Sequence, residues 1–249
     1  MTQIILPIIG SFLLSACCGF LLIPVLLRFC KQKNLYDMPN LRKVHHTMIP
    51  RLGGIAFIPS MIIAAVIVMY TMTSNTINGK LQISLWSMGF LLSLLLVYAA
   101  GIVDDIVGLN ANIKFFIQIA AACILPLCGL WIDGIDGLAA SLSLIALCGF
   151  VYCFMQHSLT AYEVMISGLI GVLVTYLYFN VWGDPAKGTK IFMGDSGSLT
   201  LGFILAFLFV KSIAVNPNVM PISMSRVFLA YSLLIVPTFD VVRVVLHRI

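Results

Sequence analysis

A chain of 249 residues that is 61% hydrophobic and only 9% charged cannot be an ordinary soluble domain, in which about a quarter of the residues are charged. The net charge of +5 comes from basic residues gathered in loops between apolar runs. There they set membrane orientation rather than form a nucleic-acid-binding face. The seven cysteines lie mostly inside apolar runs, with no CxxC pair and no histidine at zinc-ligand spacing, so they read as small buried residues.

A membrane-crossing helix needs about 20 apolar residues. Eight stretches approach that length: residues 4–27, 53–72, 85–103, 113–131, 138–155, 162–181, 199–213 and 227–246. The fold class expected is therefore all-α, a polytopic transmembrane bundle of about eight spans, with residues 1–249 forming a single membrane domain. The first stretch is long enough to span and lacks a basic leader, so it reads as a span and not as a cleaved signal. The loop after it, residues 28–52, carries Arg28, Lys31, Lys33, Arg42, Lys43 and Arg51, six of the fourteen basic residues. That excess puts the loop inside and the N-terminus outside. Pro39, Pro50, Gly53 and Gly54 interrupt any helix here and imply a folded loop. Arg42, Lys43 and Arg51 suit the grip of a phosphate or pyrophosphate, with His45 and His46 as assistants; the competing reading is a lipid-headgroup anchor.

Residues 73–84, with Lys80 alone, belong outside, and the chain returns inside at GIVDDIVG, residues 101–108. An ionised carboxylate in hydrocarbon costs several kcal/mol, and the adjacent Asp104 and Asp105 also repel each other. They are tolerable where a helix emerges into headgroups, and more so beside a divalent cation. Hard carboxylate oxygens suit Mg²⁺, which takes one or two carboxylates together with water and substrate phosphates. Past residues 113–131 comes IDGIDGLA, with Asp133 and Asp136 three apart, a spacing that faces both acids one way on a helical turn. The third long loop ends in GDSGS just before a span. Free N–H groups at a helix start favour anions, while Asp195 can ligate a cation. Asp184, ahead of Pro185, reads as a turn residue. Asp240 and Arg243 read as an internal pair.

DMPNLRKVHHTMIPRLGG, GIVDDIVGL, DGIDGLA and IFMGDSGSLTLG occur in this order. With them the sequence resembles the polyprenyl-phosphate N-acetylhexosamine-1-phosphate transferases, glycosyltransferase family 4. Within that family it looks like the bacterial undecaprenyl-phosphate GlcNAc-1-phosphate branch. The muramoyl-pentapeptide branch is similar in the acidic motifs, but the loop ending in IPRLGG favours the GlcNAc branch. The resemblance implies that a lipid phosphate attacks the β-phosphorus of a UDP-sugar and UMP leaves. It implies catalytic roles for Asp104, Asp105, Asp133 and Asp136, metal ligation by Asp105 and Asp195, and substrate binding by Arg42, Lys43, His45, Arg51, Lys114 and Asn180. The implied cofactor is Mg²⁺, with Mn²⁺ as the alternative. Implied partners are undecaprenyl phosphate, a UDP-N-acetylhexosamine and membrane lipids, with a homodimer as the candidate assembly and no nucleic acid. The implied location is the bacterial inner membrane, with the active face cytoplasmic. A transporter with intramembrane acids is the competing class, but these acids sit at span ends beside glycines and lysines.

Two departures from the pattern bear on activity. The family reads NxxNLxDGxDGLA, whereas CGLWI precedes Asp133 here. This implies an internal loss of one span near residue 132. The chain also stops at Ile249, where the family enters a loop with a His-x-His-His motif. Counting the remaining spans, residues 113–131 cross outward. Asp133, Asp136, Lys187, Lys190 and Asp195 then fall on the face opposite Asp104, about 30 Å of hydrocarbon away. The positive-inside rule wants the lysines on the other side. On the span count no shared metal site forms, unless residues 113–131 fold back or residues 138–155 stay out of the core, and the chain is expected to have little or no transferase activity; an inactive remnant is the alternative to the transferase.

Overall fold

The computed structural model describes residues 2–33, 35–37, 48–75, 85–109, 113, 137–156, 159–213 and 223–235. Helix α1 (Thr2–Lys33) is followed by β1 (Tyr36–Asp37) and β2 (Ile49–Pro50), which pair antiparallel with Tyr36 opposite Pro50. A 3-10 turn (Gly53–Ala56) runs into α2 (Phe57–Asn75), and α3 follows (Leu85–Val107). After it come α4 (Leu138–Met155), α5 (Thr160–Val181), α6 (Gly194–Ile213) and the shorter α7 (Met224–Ile235). Among the described residues six helices, α1 to α6, are long and apolar enough to cross a membrane. The protein is a multi-pass, all-α membrane bundle. The span expected at 113–131 lies outside the described residues, and the one expected at 227–246 is described only in part.

Helix α5 packs against α1, α2 and α4, and α6 packs against α3. In lipid the hydrophobic effect does not drive helices together, so close packing and interhelical hydrogen bonds do. Small residues provide the closeness. A side chain at Gly171 of α5 would run into the Phe12 carbonyl of α1, and Gly19 sits where a Cβ would meet Thr175 at 3.1 Å. The hydroxyl of Ser11 donates to the Val164 carbonyl at 2.7 Å, and that of Thr175 to the Ala16 carbonyl at 3.1 Å. Phe90 of α3 stacks on Phe207 of α6 with ring centroids 3.9 Å apart.

These contacts, together with the approach of Gly54, just ahead of α2, to Gly197 at the start of α6, fix the directions of α1 to α6. Ser11 meets Val164 and Phe20 meets Tyr178, so α1 and α5 run parallel. Phe57 meets Tyr176 while Met61 approaches Gly168, so α2 runs against α5. Phe154 meets Tyr162 and Gly137 approaches Val181, so α4 does the same. Gly101 abuts Ser196 and Phe90 meets Phe207, which makes α3 and α6 antiparallel. One end of the bundle therefore holds the end of α1, the start of α2, the end of α3, the start of α4, the end of α5 and the start of α6. Leu109 and Gly137, which flank residues 110–136, both lie at this end. A single crossing between them would have put them on opposite faces. The expected separation of Asp104 from Asp195 is thus overturned. Apolar length measures whether a segment tolerates lipid, not whether it makes a net crossing, and the lysines gave the better guide.

Two boundaries also differ from expectation. Helix α3 runs to Val107, so Asp104 and Asp105 belong to its last turn and do not follow it. Helix α6 begins at Gly194, so GDSGS is its first turn and not a loop that feeds it.

Candidate active site where three motifs meet

The site end of the bundle is built on backbone contacts. Residues Pro50 to Gly54 run beside Phe192 and Met193. The Phe192 N–H donates to the Pro50 carbonyl at 2.7 Å, that of Gly53 to Phe192 at 2.8 Å, and that of Gly54 to Met193 at 2.7 Å. The end of the basic loop is thereby sewn onto the segment that leads into α6. Glycines let the chains close. A Cβ on Gly54 would overlap the Gly197 backbone, and one on Gly101 would stand 2.5 Å from Ser196 Cα. Gly194 has φ +72°, and a Cβ there would strike the Arg51 carbonyl and lie 2.6 and 2.8 Å from the two carboxylate oxygens of Asp105.

Asp105 sits in this closure, only 5% exposed. Its Oδ1 accepts the N–H of Asp195 at 2.7 Å and its Oδ2 the N–H of Ser196 at 2.9 Å. The first N–H groups of a helix have no intrahelical partner, and a carboxylate there also meets the positive end of the helix dipole. The Arg51 guanidinium lies within electrostatic reach of the same carboxylate. Asp104, 3% exposed, turns to its own helix end. Its Oδ1 accepts the Leu109 N–H at 2.7 Å, and its carbonyl accepts that of Gly108 at 2.8 Å. Gly108, at φ +73°, supplies the left-handed residue that ends α3.

Asn180 is 1% exposed, and its Nδ2 donates to the Ile191 carbonyl at 2.8 Å. It ties the loop before α6 back onto α5. Its Oδ1 has no hydrogen-bond partner among the described residues. Asp184 makes a turn, as its place before Pro185 suggested. Its Oδ1 accepts the Ala186 N–H at 2.9 Å, and its N–H donates to Thr189 Oγ1 at 2.8 Å.

The structure therefore brings together Arg51, Asp104, Asp105 and Asp195 at one end of the bundle, with Asn180 just behind the loop. Arg42, Lys43, His45, Lys114, Asp133 and Asp136 lie outside the described residues. Gly137, next to Asp136 in sequence, does lie at the site end, within reach of Val181. Gly54 was read only as a helix interrupter, and Gly101 and Ser196 only as members of their motifs, without the close packing roles they have here. The signal for Gly101 was there, because it stands four residues before Asp105 and thus on the same face of α3.

Residues 131–213 match the family model described as glycosyl transferase family 4. The chain is 28% identical, over 97% of its length and 72% of the relative's, to a probable undecaprenyl-phosphate N-acetylglucosaminyl 1-phosphate transferase of Bacillus subtilis (strain 168). A phospho-N-acetylmuramoyl-pentapeptide-transferase of Staphylococcus carnosus (strain TM300) is 28% identical over 91% of the chain and 81% of the relative. An undecaprenyl-phosphate alpha-N-acetylglucosaminyl 1-phosphate transferase of Yersinia pestis is 23% identical over 86% of the chain and 64% of the relative. The chain is similar to these transferases, and about a third of it matches the glycosyl transferase family 4 model. It is a membrane-bound transferase.

The matched stretch supplies Asn180 and Asp195, while Arg51, Asp104 and Asp105 come from outside it. The fold joins the two sets. Among the described residues no three His, Cys, Asp or Glu side chains form a metal cage. Mg²⁺ needs no such cage, since it is held by one or two carboxylates with water and phosphate oxygens. The donor set fits that mode: Asp195 is partly exposed at the site end, and each Asp105 oxygen keeps a second lone pair beyond its N–H bond.

Proposed function

We propose that this protein transfers N-acetylhexosamine-1-phosphate, with GlcNAc as the sugar, from a UDP-sugar to undecaprenyl phosphate and releases UMP. The reaction would be the first membrane step of a cell-envelope polysaccharide. The observation that carries the reading is the hydrogen bonding of Asp105 to the first turn of α6, which puts the aspartate pair and the GDSGS motif in one place. It removes the ground that the span count gave for expecting an inactive remnant, since the acids do not lie on opposite faces. The relatives support undecaprenyl phosphate and a nucleotide sugar as the substrate classes. We place the site on the cytoplasmic side of the bacterial inner membrane, because Lys31, Lys33, Arg51, Lys187 and Lys190 all belong to the site end.

The lipid phosphate oxygen forms a bond to the β-phosphorus as the bond to the UMP oxygen breaks. Both reactants are anions, so the protein's work is alignment and charge neutralisation. Asp195, with Asp105 hydrogen-bonded behind it, would hold Mg²⁺, or Mn²⁺ in its place, and the bound ion would offset pyrophosphate charge. Arg51, with Arg42, Lys43 and His45 of the same loop and Lys114, would bind the phosphates. Asp104, Asp133 and Asp136 would complete the acidic set around the reacting groups. The second ionisation of a phosphate monoester lies near pH 6, so the acceptor is largely dianionic at neutral pH and needs little help from a base.

The test is transfer from radiolabelled UDP-GlcNAc to undecaprenyl phosphate by the purified chain in detergent, with UMP release followed in parallel. Expected are a lipid-linked product, its loss with EDTA, its return with Mg²⁺, and a loss of at least about a hundredfold in Asp195→Asn at unchanged protein level. Because muramoyl-pentapeptide transferases are about as similar to the chain, UDP-MurNAc-pentapeptide is run beside it. Product from that donor alone assigns the muramoyl branch, and product from neither donor sinks the reading.

A further inference from the structure

We propose that Asp105 is a positioning residue, a carboxylate clamp that reaches from α3 to hold the first turn of α6 and so sets where Asp195 stands. The inference rests on the transferase reading and reassigns one of its residues. A helix start is usually capped by the side chain of the residue just before it. Gly194 has no side chain, and Met193 before it offers only a weak thioether acceptor. Helix α6 therefore takes its cap from another helix, and the cap is two-pronged, with one carboxylate oxygen on each of two consecutive N–H groups. Such charge-assisted pairs are stronger and more directional than single neutral hydrogen bonds.

The surroundings leave the clamp no slack. One turn earlier on α3, Gly101 lets the α6 backbone approach to contact at Ser196, and on the other side the Arg51 carbonyl closes over Gly194. Asp105 is thus spent on the backbone at a buried position, while the next link of the chain, Asp195, is partly exposed. The two acids divide the work: Asp105 orients and Asp195 serves the reacting phosphates. A displacement of the Asp105 carboxylate passes to Asp195 through a single N–H bond of 2.7 Å.

The test is amide hydrogen exchange over residues 193–200 in the metal-free protein, which reads the clamp whether or not the chain transfers any sugar. In Asp105→Asn one prong becomes an NH₂ that cannot accept. The Asp195 and Ser196 amides are then expected to exchange roughly ten- to a hundredfold faster, while Asp195→Asn leaves them within about threefold of the parent. Asp105→Glu keeps both acceptor oxygens on an arm one methylene longer, so it should retain most of the protection, and it serves as the second variant if the Asn form does not accumulate. In kinetics, both variants should lower kcat while the KM for UDP-sugar and the Mg²⁺ concentration for half activation stay within about threefold, as expected when an orienting contact is lost. Parent-like exchange in Asp105→Asn overturns the clamp. So does a rise of tenfold or more in the Mg²⁺ requirement of either variant, because that is the mark of a lost metal ligand. Absence of transfer in the parent protein would fail the functional reading and leave the exchange result standing.

Discussion

At the scale of single residues, the site end depends on atoms that are missing as much as on those present. Gly194 adopts φ +72° against the Arg51 carbonyl and the Asp105 carboxylate. An L side chain at such a φ costs about 1–2 kcal/mol before any clash, and the clash here is with backbone. Gly194→Ala is expected to abolish activity and lower the thermal midpoint by several degrees, as read by a melting curve in detergent; a parent-like melt with full turnover would show that this closure is not needed. Asn180 is a second case. It is the hydrogen-bond donor for a buried carbonyl, so Asn180→Ala strands the Ile191 oxygen at a cost of about 1–3 kcal/mol. The same melting curve should register that loss. A variant with parent stability and only a raised KM for the UDP-sugar would return Asn180 to the substrate-contact role that the resemblance gave it.

Among the helices, α5 is the element on which the bundle is assembled, and it carries the least expected group in the molecule. Glu163, the sole glutamate of the chain, is fully buried in its first turn, and neither carboxylate oxygen has a hydrogen-bond partner among the described residues. An isolated buried charge costs far more than a hydrogen-bonded neutral group. Glu163→Gln keeps the volume and removes the ionisable group, so the thermal midpoint is expected to hold or rise. A fall of several degrees would show that the carboxylate is needed as a charge. Glu163 was legible as a residue but not as a problem, since its place in an apolar run does not say whether it faces lipid, headgroups or other helices.

For the whole molecule, the decisive feature is the alternation of α1 to α6, which gathers one set of helix ends on one face. Single cysteines placed at Lys33 and Lys187 in a cysteine-free background should react with a membrane-impermeant reagent from one side of inverted or right-side-out vesicles, and one at Met224 from the other. Lys33 and Lys187 labelling from opposite sides would break the shared face. The arrangement also explains why span counting went astray. It treated residues 113–131 as a net crossing, yet Leu109 and Gly137 end up at the same end of the bundle.

What the amino-acid sequence determined by itself was the class of the molecule and the kind of chemistry. Apolar length fixed a multi-pass helical bundle, because lipid admits few other folds for such a chain. Acidic and glycine-rich motifs at span ends fixed where charge had to be managed, since an idle carboxylate in hydrocarbon is costly. The lysines at 187 and 190 told which face their loop belongs to, for cationic loops resist translocation. Only the tertiary structure decided how Asp104 and Asp105 divide their hydrogen bonds. Adjacent aspartates on a helix point about 100° apart, and what each one meets depends on helices some 90 residues away. Asp104 turned to close its own helix, and Asp105 turned to hold the start of α6. That choice follows from the close approach at Gly101 and Gly194, a matter of packing between helices that a pattern within one helix does not contain.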